Sequence, residues 1–323
     1  MKKNKDINIL FLGGAKRISI AEKFIEAGKS HNKKVSIFSY ELSKEVPISG
    51  IAQIIVGLKW NDIKVIEHLK STIKKNNIHI VIPFVDPATV VAAKLKSELD
   101  SNLVFIPVPN EDECTIFFDK VKANSWFENS KIPVPPTLPR SSFPIIAKPR
   151  LGSASKGIQV LHSKIEYAKF ISTTKKENFL FQKYIEATEY SVDCYVSPKT
   201  QKIISIVPRK RLEVSGGEVT KTITIKNTKI ISISKNILLK SKLTGPITIQ
   251  FLEELKTKNI VVMEINPRLG GGAPASIAAG ANIPLYVLND YLGIKTKPNN
   301  NWKKNLLMLR AYRETYIKVK KQQ

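Results

Sequence analysis

Two β-rich runs, residues 247–253 and 260–266, flank a polar break at 255–259, and such a pair forms an antiparallel hairpin. A turn centred on Thr257 sets Gln250 directly opposite Glu264, and Asn266 shares the face of Glu264 because strand side chains repeat every two residues. Three oxygen-bearing side chains then converge in strands that are otherwise apolar, where each would be costly if unsatisfied. A divalent cation meets that need. Mg²⁺ takes oxygen ligands at about 2.1 Å and is commonly shared between one or two carboxylates and substrate phosphates. A one-residue shift of the turn sends Glu264 to a solvated face instead, so spacing alone leaves both readings open.

Pro267 and Arg268 follow at once and lead into Gly270-Gly271-Gly272 and a small-residue helix over 273–281. A glycine run entering a helix offers bare amides to an anion, and the Arg268 fork suits carboxylate or phosphate; a flexible turn is the competing account. Further upstream, Lys148 projects from the end of the apolar run 144–147, and the small-residue loop 152–157 comes next. One charge pair at about 4 Å is worth roughly 4 kcal/mol at an effective dielectric of about 20, so a lysine beside such a loop suits the phosphates of a nucleotide. No Gly-x-x-x-x-Gly-Lys-Ser/Thr run occurs, which excludes a Walker site.

The elements that must position these residues are legible in the spacing. Strands at 7–12, 35–40, 54–56 and 79–83 alternate with helices at 18–30 and 61–76, which predicts parallel pairing in an open, doubly wound sheet over roughly residues 1–110. Gly13-Gly14 lacks the third glycine of a dinucleotide fingerprint; the turn is read as either an anion site or a plain turn. Asp86 lies at the carboxyl edge of the fourth strand, where such sheets take ligands, with a helix cap as the alternative. Six prolines between 133 and 149 exclude regular helix and mark a boundary. Beyond it, strand 158–161, helix 164–172 and strand 179–184 read as a compact βαβ-like unit able to move as a lid. Strands at 190–196, 203–207 and 222–225, a helix at 227–241, the hairpin and closing helices complete the chain.

Composition bounds the function. The 323 residues suit two domains and a sizeable core, with 42% hydrophobic and 24% charged residues. Lys and Arg number 52 against 27 Asp and Glu, a net charge of +25, but the lysines are scattered and no Arg-rich block or aromatic stripe occurs, which argues against nucleic acid as partner. Cys114 and Cys194 form no metal-ligand spacing and fit a reducing cytoplasm. The apolar stretch Ile7 to Leu12 reads as a buried strand rather than a secretory leader, and no run of 18 apolar residues exists, so no membrane partner is expected.

Asp119-Lys120, the run 144–149, Gly152 to Gly157, the run 182–193, and Gln250 with the run 263–268 occur in the order of the ATP-grasp superfamily, and the chain is most similar to its branch resembling the carbamoyl-phosphate synthase large subunit. The resemblance implies an α/β and α+β architecture: a Rossmann-like parallel-sheet domain over 1–112, then an ATP-grasp fold over 113–323 with a small mobile lid at about 124–186. It implies that Lys120 and Lys148 meet ATP phosphates, covered by the loop carrying Ser153 and Ser155. Gln182, Lys183 and Ile185 match the hinge whose backbone meets adenine, and Glu189 matches the ribose acceptor. Gln250, Glu264 and Asn266 match the Mg²⁺ ligands, for two ions with Mn²⁺ as an allowed substitute. Arg268 matches the basic residue beside the transferred phosphoryl group, with Arg209 and Arg211 in support. The implied activity is a cytoplasmic, ATP-dependent ligase joining a small-molecule carboxylate to an amine through an acyl phosphate. Bicarbonate or another small acid as substrate, or a nucleotide-binding regulator without turnover, are the alternatives, and a homodimer is left open.

Overall fold

The computed structural model describes residues 6–100, 103–139, 142–152, 156–311 and 313–318. The chain opens with β1 (Asp6–Leu12), α1 (Ile18–Lys29), β2 (Lys34–Glu41), β3 (Ala52–Val56), α2 (Val65–Lys75), β4 (Ile80–Pro83) and α3 (Asp86–Glu98). The strands are parallel in the order β3-β2-β1-β4, the pairing that alternating strands and helices impose. β1 is apolar almost throughout because both its faces are covered. Ile7, Ile9 and Phe11 enter one core, while Leu10 and Leu12 enter the other with Leu69 of α2 and Ala92 of α3.

α4 (Glu111–Phe118) and α5 (Lys120–Asn129) precede the proline-rich stretch, which is extended as expected but is not a free linker. Its Pro133 and Pro136 carbonyls accept hydrogen bonds from the amides of Val262 and Lys183, both at 2.8 Å. A small sheet follows, built from β5 (Ile145–Pro149), β6 (Gln159–Leu161), α6 (Lys164–Thr173) and β7 (Phe179–Lys183). The β6-α6-β7 unit is the predicted βαβ, except that β5 lies between its strands and runs antiparallel to both. Ile145, Ala147, Leu161, Phe170 and Phe181 give this leaf a core of its own.

The remaining elements are β8 (Ala187–Val196), β9 (Ile203–Ser215), β10 (Glu218–Thr224), α7 (Thr228–Lys240), β11 (Gly245–Glu254), β12 (Ile260–Asn266), α8 (Ala273–Ala278), α9 (Ile283–Leu292) and β13 (Leu307–Leu309). Their strands form one antiparallel sheet in the order β12-β11-β8-β9-β10-β13. Alternation gives it two unlike faces. Val192, Cys194, Ile247, Ile249 and Phe251 pack on Phe117, Phe127 and Ile237 of the flanking helices, and the opposite face carries Asp193, Arg209, Thr248 and Gln250.

The expected closing helices are α8 and α9, and β13 then adds an edge strand to the sheet. α9 turns back on the parallel sheet, where Val287 and Leu288 share the core of Ile9 and Phe11. Both cysteines are buried free thiols, and desolvation pushes the Cys114 thiol up to about 12. Among the described residues no helix is long and apolar enough to cross a membrane.

Candidate active site

β11 and β12 form the predicted hairpin, with Gln250 opposite Glu264 and Thr248 opposite Asn266. The register then slips: Phe251 pairs with Val262, which leaves Met263 as an extra residue on β12. This β-bulge decides which way the carboxylate faces. Strict alternation from the buried Val262 would send Glu264 into the same core, whereas the inserted residue puts Ile265 there and turns Glu264 and Asn266 to the polar face. Asn266 Nδ2 donates to Glu264 Oε1 at 3.0 Å. On the neighbouring strands Arg211 Nη1 donates to Gln250 Oε1 at 3.3 Å, and its Nε lies 3.1 Å from Glu189 Oε2.

These side chains line a cavity of about 400 Å³ shared by the polar face and the small leaf. Lys148 enters it from β5 and is only 6% exposed. Its Nζ donates to Gln182 Oε1 at 3.0 Å, and Gln182 Nε2 donates to Asn124 Oδ1 at 2.8 Å, so a three-residue relay fixes the ammonium. Burial lowers the Lys148 pKa to about 8; Glu264 and Glu189 resist that shift, and Lys120 adds to it. Asp119 caps α5 by accepting from the amides of Val121 and Lys122, and it also binds Arg150 Nε at 2.7 Å. Lys120 then starts the helix and donates Nζ to the Gly152 carbonyl at 2.8 Å.

Lys183 and Ile185 line the cavity as well. Lys183 Nζ lies 3.2 Å from Glu254, and the amides of Lys183 and Tyr184 are bonded to the carbonyls of Pro136 and Pro144. Ile185 makes no backbone hydrogen bond among the described residues. Ser153 and Ser155 lie outside the described residues.

At the far end Arg268 donates Nε to Asp86 Oδ1 at 2.5 Å, joining the antiparallel sheet to the carboxyl edge of the parallel one. Asp86 therefore reaches the cavity, and its partner is a side chain more than 180 positions away that spacing could not reveal.

Arg209 is a correction. It is 1% exposed, lies outside the cavity, and is clamped by Asp193 at 2.6 and 3.1 Å, with Ser276 Oγ on the same carboxylate at 2.5 Å. Burial demanded a counter-ion, and the alternation of β9 placed Arg209 beneath Gly272, where a Cβ would collide with its guanidinium. At the first turn the Glu41 carboxylate accepts from Ser39 Oγ at 2.6 Å, and burial pushes its pKa up while the amides of Gly14 and Ala15 act in the opposite direction. Sequence reasoning gave no role to Asn124 or Asp193; for Asp193 the available signal was a carboxylate inside the apolar strand β8, whereas Asn124 lies in a largely polar helix and carried no such mark.

The oxygen donors fit Mg²⁺ in a specific way. Among the described residues there is no group of three or more His, Cys, Asp or Glu to hold a metal. One carboxylate with two amides is a weak cage by itself and an adequate one when phosphates supply the remaining charge.

Residues 175–313 match a family model described as ATP-grasp in the biosynthetic pathway with Ter operon. The carbamoyl phosphate synthase large chain of Clostridium botulinum (strain Langeland) is 28% identical over 145 residues, which is 41% of this chain and 13% of that protein, so only a small part of that relative's length is matched. The biotin carboxylase domain of the Hydrogenobacter thermophilus 2-oxoglutarate carboxylase, solved as a dimer with MgADP, ADP and bicarbonate, superimposes with a TM-score of 0.74 at 14% identity, covering 93% of this chain and 73% of that one. The N5-carboxyaminoimidazole synthetase of Staphylococcus aureus gives 0.71 at 15% identity, covering 96% and 84%. At these identities the likeness is one of fold.

Proposed function

We propose that the chain, which matches an ATP-grasp family model over residues 175–313, is an ATP- and Mg²⁺-dependent ligase that joins a small-molecule carboxylate to an amine through an acyl phosphate. The observation that carries this reading is the buried Lys148, held by Gln182 in the same cavity as Gln250, Glu264 and Asn266. A desolvated ammonium facing a lone carboxylate and two amides is a constellation that a metal–triphosphate would complete.

In this reading Lys148 and Lys120 hold the phosphates, Ile185 offers its open backbone groups to the base, and Glu189 takes the ribose. Gln182 acts chiefly by orienting Lys148. Gln250, Glu264 and Asn266 would hold Mg²⁺, which when bound draws charge from the phosphate oxygens. The substrate carboxylate oxygen bonds to the γ-phosphorus as the bridge to ADP breaks, and Arg268 and Arg211 balance the charge on the transferred group. The amine then bonds to the acyl carbon, loses a proton, and releases phosphate. No side-chain nucleophile is needed, since phosphoryl transfer rests on positioning and charge. The small leaf keeps water from the acyl phosphate between the two steps.

A screen of small acids paired with amines for ADP release, with products read by mass spectrometry, tests the reading. Glu264→Gln should cut substrate-dependent ADP release by about 100-fold or more with the melting temperature preserved. An unchanged rate would reject the metal assignment.

A further inference from the structure

Beyond Arg268 lies a charged cluster formed by none of the residues assigned above to the nucleotide. Arg17, in the turn after β1, donates Nη2 to Glu218 Oε1 at 3.1 Å. Arg310, just past β13, donates Nη1 to Glu218 Oε2 at 2.8 Å and Nη2 to the Gly271 carbonyl. Two guanidiniums therefore share one carboxylate, and one positive charge is left over. The neighbouring Arg268 is already balanced by Asp86, so it does not absorb the surplus.

Arg17 is the buried member, with a side chain 13% exposed. Its Nε is buried with no hydrogen-bond partner among the described residues, an open donor of the kind proteins rarely leave in place. Gly271 faces the pair without a side chain; a Cβ there would lie 3.6 Å from Arg17 Nη1 and 3.8 Å from the Glu218 carboxylate. The cluster sits at the carboxyl edge of the parallel sheet, where open α/β sheets take ligands. It also adjoins the cavity: Gly217 and Arg268 line it, and the Arg268 charge is felt at Arg17.

We propose that Arg17 and Arg310 anchor a second anionic group, carboxylate or phosphate, on the acid substrate, which is therefore at least a dianion. Guanidinium forks suit either group. An ammonium has no place here, because both Glu218 oxygens are occupied and the surrounding guanidiniums repel it. A monoanionic acid engaged at Arg268 would leave the surplus charge and the open donor unanswered.

The identity of the ligand as substrate rests on the ligase reading; the test reads binding, so the two can fail separately. Butyrate, succinate and 3-phosphonopropionate, of similar length, are titrated into the full chain in MgADP buffer by calorimetry. At least one dianion should bind about tenfold or more tighter than butyrate, with the tighter of the two telling carboxylate from phosphate recognition. Arg17→Gln should erase the preference. Glu218→Gln, which removes the counter-charge and leaves both arginines in place, should sharpen it about threefold. Equal affinity for all three probes, a preference that survives Arg17→Gln, or weaker dianion binding in Glu218→Gln would overturn the proposal. Dianion preference without ADP release for any acid and amine would fault the ligase reading and leave the anion site standing.

Discussion

Lys148 titrates where experiments are done. With its pKa lowered to about 8 by burial, it is partly neutral in mildly alkaline solution, and a triphosphate beside it favours the charged form. Nucleotide binding then takes up a proton, so ATP affinity should stay flat below about pH 7 and fall as pH rises through about 8, by up to tenfold per unit. Calorimetry in buffers of differing ionisation enthalpy checks this, and Lys148→Met should remove that share of the slope. In the free protein the sign is opposite. A folded-state pKa below the ordinary 10.5 means the unfolded chain binds more protons between about 8 and 10.5, so stability rises with pH across that window. Arg209 and Arg211 separate in the same way, two residues apart on one strand. Arg209→Met strands a buried carboxylate and should cost about 3–5 kcal/mol in urea unfolding, whereas Arg211→Met should leave stability nearly unchanged and weaken nucleotide binding or turnover.

At the level of elements the bulge in β12 is decisive. Deleting Met263 makes the hairpin regular and keeps Glu264 opposite Gln250, so Mg²⁺-dependent nucleotide binding should survive. Deleting Ile265 rotates Asn266 into the core and should abolish it; equilibrium dialysis with MgADP distinguishes the two. The hairpin itself was legible because β-rich runs and a polar break carry their own period, and the pair Gln250–Glu264 followed from the turn. The bulge was not, since nothing in Val-Val-Met-Glu marks an extra residue; the expected pairing holds at the site because the slip occurs just beyond it. The parallel sheet was read nearly strand for strand, as its apolar runs are short and separated by helices of clear amphipathic period. Arg209 was misplaced because side chains on one strand face are alike in sequence, and only the neighbouring Asp193 decides that this one is buried. The pairs Asp86–Arg268 and Lys148–Gln182 join distant segments, and no local pattern encodes them.

As a whole the molecule is more unified than its sequence suggests. The core of the parallel sheet includes Leu269, Ile277, Val287 and Leu288 from the end of the chain, so residues 1–112 made alone would expose the face that α9 covers. That fragment should fail to give dispersed amide resonances, and the full chain should lose its parallel and antiparallel sheets in one thermal transition rather than two. The small leaf is the exception. Its aromatic interior is self-contained, and it is fastened to the body through the proline stretch and a few side-chain bonds, among them Lys183 to Glu254 and Gln182 to Asn124. Such attachments can be exchanged for solvent at little net expense, whereas torn oil-like packing cannot. Under the proposed function the leaf would serve as a door on polar pins, admitting reactants and discharging products without any part of the molecule having to melt.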